Sequence, residues 1–251
     1  MNKENDDDVI NLMSLGGGPG FDFCAVALVA SFRGAGISHR TASINATVFD
    51  YEPGWSSLVH AMNEATTNML LPSTTRNKIA CQWGGICDIT KPLQHSSNTD
   101  CLAILESTSI FTCQYCVAEN AKQLKDSDYI FFRNLFETAA IGSLFIFTEV
   151  TPRLWPDFYR LLVEFNEEKK GDVTMKIGFP NIRGPQMTIL KTDDKNHLGE
   201  SLLPSSPVIK ESDLELLQNF ENYSQKQEKK METGWTRTMS KQRLRRTRGF
   251  W

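Results

Sequence analysis

Apolar and polar positions along the chain alternate between two periods. Val9, Ile10, Leu12, Met13 and Leu15 form an apolar run that reads as a buried strand. Phe21, Ala25, Val26, Leu28, Val29 and Phe32 recur at helical spacing and predict a helix over 21–33, with Gly34 and Gly36 as its stop. Between the two lies a turn of small residues, Gly16-Gly17-Gly18-Pro19-Gly20. The same alternation predicts a strand over 46–50, a helix over 55–70 closed by Pro72 and Ser73, and a strand over 78–83. Gly84 and Gly85 then turn the chain into Ile86-Cys87-Asp88-Ile89, and the polar stretch 92–99 reads as a loop. Residues 101–107 fit a short helix or a strand equally well. A strand over 110–117, a helix over 127–140 and a buried strand over 143–150 follow. A helix over 152–166 carries its proline at the start, where proline is tolerated. Strands over 173–179 and 186–190 flank a turn at Ile182-Arg183-Gly184-Pro185.

Strands alternating with helices predict an α/β sheet covered on both faces. Right-handed crossovers place the loops after the first four strands on one edge, the edge at which open α/β sheets bind ligands. No internal repeat is present. From Lys191 the chain turns polar, which divides it into a domain over 1–192 and an extension over 193–251. Within the extension 211–230 reads as a charged helix. Its end carries Arg237, Lys241, Arg243, Arg245, Arg246 and Arg248, with Trp235, Phe250 and Trp251 around them.

The chain has 251 residues, 40% of them hydrophobic, enough for one sizeable core. A net charge of −3 gives no global attraction to nucleic acid, so any basic surface is local. Several of the six cysteines sit in apolar segments and read as reduced, buried thiols. Residues 2–8 are polar and acidic, unlike a secretory signal, and every apolar run breaks within about a dozen residues, too short for a membrane span. The expected setting is intracellular, cytoplasmic or nuclear. Cys113 and Cys116 form a Cys-x-x-Cys pair, but a zinc site needs about two further ligands at suitable spacing, so the pair reads as two buried thiols and no metal is expected. The four histidines are scattered and support no triad.

Glycines at a strand-to-helix turn let the backbone bend sharply and approach a ligand, and the following helix offers a positive dipole end. Ser14-Leu15-Gly16-Gly17-Gly18-Pro19-Gly20, the acidic end of the second strand at Asp50 and the Cys87-Asp88 turn together resemble class I S-adenosylmethionine-dependent methyltransferases. The resemblance covers roughly residues 9–190 and includes the closing strand pair that separates this fold from nicotinamide-binding Rossmann folds. It implies a Rossmann-like fold with a mostly parallel seven-stranded sheet and an antiparallel last strand. It also implies S-adenosylmethionine as cofactor. Gly16, Gly18 and Gly20, with Gly17 among them, would lie beside the methionine part. Asp50 would accept from the ribose hydroxyls, with Tyr51 adjoining and Glu52 as a competing acid. Asp88 would sit near the adenine amino group, or simply form a turn, and Ile89 would supply an apolar wall. Trp55 would stack near the adenine or pack in the core. Gln114, Tyr115 and Glu119 fall where the family's substrate-side motif lies. Tyr115 and Glu119 are the candidates for a base, needed only if the acceptor must lose a proton.

The chain departs from the family pattern in two places. The position two before the first glycine usually holds an acid and here is Ser14. Asp22 could compensate, or could serve the helix N-terminus. The fourth motif is Thr112-Cys113-Gln114-Tyr115-Cys116 rather than Asn/Asp-Pro-Pro-aromatic, which argues against methylation of an adenine exocyclic amine. A Pro-Cys nucleophile of pyrimidine-C5 chemistry is also missing. The basic-aromatic end suggests RNA as acceptor, arginines meeting phosphates and aromatic rings meeting unstacked bases, although a solvated tail or a nuclear import signal has the same composition. A small-molecule acceptor and a non-catalytic cofactor-binding module are the competing expectations.

Overall fold

The computed structural model describes residues 9–33, 43–71, 79–150, 154–169, 172–178 and 186–193. The expected features at Gly34, Gly36, Pro72, 182–185, 211–230 and 234–251 lie outside them.

Seven strands form one sheet: β1 (Val9–Leu15), β2 (Ser43–Asp50), β3 (Ile79–Ile86), β4 (Ile110–Gln114), β5 (Leu144–Thr148), β6 (Thr174–Gly178) and β7 (Gln186–Thr192). Their order is β3-β2-β1-β4-β5-β7-β6. β1 through β5 pair in parallel, while β7 runs antiparallel to both β5 and β6. This seven-stranded, mostly parallel sheet with an antiparallel last strand is the Rossmann-like arrangement that the resemblance implies.

Successive side chains of a strand point to opposite faces, so neighbours in β1 serve different cores. Leu12 is in register with Ala46 and through it with Cys81. These three pack beneath Phe23 and Ala27 of α1 (Phe21–Arg33) and Val59 of α2 (Trp55–Ala65). Met13 and Leu15 face the other way, toward Phe111, Cys113, Phe145 and Phe147 of β4 and β5. The helices after β3 cover that side: α3 (Thr99–Ile104), α4 (Cys116–Glu119), α5 (Ala121–Asp126), α6 (Ile130–Thr138) and α7 (Trp155–Lys169). The core there is aromatic. Phe111 stacks on Phe145 with centroids 4.8 Å apart, and Phe132 meets Phe147 edge to face at 5.6 Å.

Several element boundaries differ from the sequence expectation. The strand expected over 110–117 stops at Gln114, because Tyr115 takes the left-handed conformation at φ 60° and α4 starts at Cys116. The helix expected over 127–140 is α6 alone, begun after two further left-handed residues, Asp128 and Tyr129. The ambiguous 101–107 stretch is helical. Gly84 and Gly85 do not end β3; they carry a register shift that lets the strand run on to Ile86. Lys191, expected to open the polar extension, is 5% exposed within β7. Its ammonium donates to the carbonyls of Phe136, Glu137 and Ala139, which lack helical partners at the end of α6.

Candidate functional site

The ends of β1, β2, β3 and β4 open into a cleft of about 770 Å³. Gly16, Gly18, Asp50 and Tyr51 line one part of it, Asp88 and Ile89 another, and Gln114, Tyr115 and Glu119 a third. Trp55 is also on its wall.

The glycine turn is fixed to β2 by backbone groups. Gly16 N–H and Gly17 N–H both donate to the Phe49 carbonyl, at 2.9 and 3.3 Å. Gly18 N–H donates to Asp50 Oδ2 at 3.0 Å, and Glu52 N–H donates to Asp50 Oδ1 at 3.0 Å. Each Asp50 oxygen therefore keeps a lone pair beyond its backbone bond, at the cleft wall. Glu52 is exposed, turns away to accept from Gly54 N–H at 3.0 Å, and does not line the cleft. The two competing acids are thus separated by geometry.

Ser14 and Asp22 lie beneath the turn rather than in the cleft. Asp22 is 5% exposed and its Oδ2 accepts from Ser14 Oγ at 2.7 Å and from Thr112 Oγ1 at 2.5 Å. The Ser14 hydroxyl, two positions before the first glycine, is thereby joined to a carboxylate supplied by α1. Gly17 and Gly20 also stay off the cleft wall. A Cβ on Gly17 would stand 2.3 Å from Ser14 Oγ, so this glycine makes room for the buried cluster.

Asp88 lines the cleft while its Oδ1 accepts from Thr90 N–H at 2.9 Å and Thr90 Oγ1 at 2.6 Å. It forms a turn and borders the cleft at once. The loop that carries it hangs on Asn98, which is fully buried. Asn98 Oδ1 accepts from Asp88 N–H at 2.7 Å, and Asn98 Nδ2 donates to the carbonyls of Asp88 and Pro92. Nothing in the sequence around Asn98 distinguished it from the other polar residues of the loop.

Glu149 was likewise missed by sequence reasoning. It is fully buried just past β5, and its Oε1 accepts from Val117 N–H at 2.7 Å and Ala118 N–H at 3.1 Å. Burial pushes its carboxyl above the ordinary value, opposed by those backbone bonds. Glu149 thereby holds the turn that presents Tyr115 and Glu119. Asn120 and Gln123 complete that side of the cleft. Cys113 and Cys116 are both buried, with their sulfurs 3.0 Å apart. Among the described residues no group of three or more His, Cys, Asp or Glu side chains is arranged to hold a metal. No described helix is long and apolar enough to cross a membrane.

A cleft of this volume suits a nucleoside-sized ligand. A carboxylate with spare lone pairs suits a diol, and the glycine turn leaves space beside Gly18, where an added Cβ would meet nothing nearer than Trp55 at 3.9 Å. The residues present therefore fit S-adenosylmethionine.

No family model and no curated protein sequence matches the chain. Many solved structures similar to it are S-adenosylmethionine-dependent methyltransferases. The antibiotic-resistance methyltransferase Kmr is 11% identical, with 74% of this chain and 88% of that one covered and a TM-score of 0.44. A S-adenosylmethionine-dependent methyltransferase from Methanosarcina mazei is 12% identical, with 77% of each chain covered and a TM-score of 0.37. A 16S rRNA (adenine(1408)-N(1))-methyltransferase variant from Catenulisporales acidiphilia is 8% identical, with 74% and 86% covered and a TM-score of 0.40. The fold is defined by strand order and the antiparallel β7, not by these similarities.

Proposed function

We propose that the chain is a methyltransferase that binds S-adenosylmethionine in the cleft above β1, β2 and β4. The observation that carries this reading is Asp50, which ties itself to Gly18 and still offers lone pairs to a ribose at the cleft wall. Gly16 and Gly18 would border the methionine part, Asp88 and Ile89 the adenine. When bound, the sulfonium supplies an already activated methyl group, so the chain's own residues have chiefly to position and desolvate. Tyr115 and Glu119 would face the acceptor. Glu119 would take up its proton where one must leave.

RNA is the acceptor that the basic-aromatic end favours, through Arg237, Lys241, Arg243, Arg245, Arg246 and Arg248. To test both parts, the full chain is incubated with methyl-tritiated S-adenosylmethionine and either total cellular RNA or a small-molecule extract. We expect label in RNA, reduced when the chain stops before Gly234. Label in the small-molecule fraction alone would contradict the RNA assignment. Label in neither would favour a non-catalytic binding module.

A further inference from the structure

Six cysteines are free and five of them are buried, and the sulfurs of Cys113 and Cys116 lie 3.0 Å apart. Cys113 is held in β4, paired with Leu15 of β1 on one side and Phe147 of β5 on the other. Cys116 opens α4 across the left-handed Tyr115, and it lines the cleft. Its thiol also points at the Leu15 carbonyl, 3.6 Å away, and it packs on the glycine turn: a Cβ added to Gly16 would come within 2.8 Å of both Cys116 Cβ and Cys116 Sγ. We propose that Cys113 and Cys116 are an oxidation site, closed by peroxide to a disulfide that unseats the Gly16–Gly20 turn.

The chemistry balances with one hydrogen peroxide. The sulfur of cleft-lining Cys116 attacks a peroxide oxygen; an S–O bond forms, the O–O bond breaks, and the hydroxide that leaves takes the Cys116 thiol proton to become water. The Cys113 sulfur then attacks the Cys116 sulfur; the S–S bond forms, the S–O bond breaks, and a second water leaves with the Cys113 thiol proton. Two thiols lose two electrons and one peroxide becomes two waters. The roles follow from position. Cys113 is 2% exposed, and the hydrogen bond its thiol donates to Cys116 together with burial holds it well above the ordinary range, which suits the resolving partner. Cys81, buried near the Asp22 carboxylate, is pushed up to about 12 and stays inert.

Closing the pair draws the sulfurs from 3.0 Å to about 2.05 Å, the ordinary disulfide length. Cys113 is locked between two strands, so the displacement falls on Cys116. Its hydrogen bond to the Leu15 carbonyl is lost, and its contact with Gly16 shifts. Gly16 and Gly17 hold their place through single amide bonds to Phe49, and these loosen.

The test treats the reduced full chain with hydrogen peroxide, maps disulfides by peptide mass spectrometry, and follows amide hydrogen exchange over 16–20. Neither readout requires any nucleoside to bind. The expected result is a Cys113–Cys116 bridge, absent in Cys116→Ser, reversed by dithiothreitol, with exchange of the turn accelerated roughly tenfold. A Cys87–Cys101 bridge in its place, or oxidation of half-buried Cys24 with Cys113 and Cys116 still reduced, would overturn the site. A bridge that leaves exchange of the turn unchanged would overturn its effect.

Discussion

Gly17 has room for a hydrogen and nothing larger. An added Cβ would meet Ser14 Oγ at 2.3 Å, Ser14 Cβ at 2.9 Å and Val48 Cγ1 at 3.0 Å. Ser14 cannot yield freely, because its hydroxyl is bound to buried Asp22. Gly17→Ala is therefore expected to destabilise the protein by about 1–3 kcal/mol, the usual cost of overpacking, read as a lower urea midpoint. An unchanged midpoint would show that the cluster below the turn is soft. The glycines themselves were legible in sequence as a turn, and Asp50 as a strand-tip acid, since both depend on neighbours close in the chain. The Asp22 cluster was not. Its partners Ser14 and Thr112 stand 8 and 90 positions away, and only the β1–β4 pairing brings them together.

Among the elements, the short helix α4 decides what the acceptor side of the cleft looks like. Periodicity favoured a strand running through 117, because Cys113, Cys116 and Val117 are all apolar. The left-handed Tyr115 leaves no mark in an apolar pattern. Neither does Glu149, which reads as the polar end of a strand and in fact receives the first amides of α4. Its carboxyl is raised above 4.5, chiefly by burial. Such a group binds its proton more readily in the native state than unfolded. Its contribution to stability is therefore present below 4.5 and is lost as pH rises through the native value. Relative to Glu149→Gln, the wild type should gain stability as pH falls through the raised native value toward 4.5, measured by urea unfolding as a function of pH. A difference independent of pH would show that Glu149 is solvated in the native state.

Across the whole molecule, two cores share one sheet, and the cleft lies at the strand ends between them. Alternating strands and helices made the covered α/β sheet legible, whereas the antiparallel β7 was expected only from the resemblance. The buried Lys191 shows where composition misled: a lysine reads as surface until α6 is seen to end on it. The cleft's central feature is that the glycine turn and the tip of β2 are one hydrogen-bonded unit, joined from Gly18 to Asp50. Isothermal titration of the full chain with S-adenosylmethionine tests what that unit is for. The account predicts saturable binding by the wild type, weakened in Asp50→Ala by more than about 1 kcal/mol, roughly fivefold in affinity. A folded wild type that takes up no S-adenosylmethionine, or an Asp50→Ala variant that binds it as well as the wild type, would contradict it.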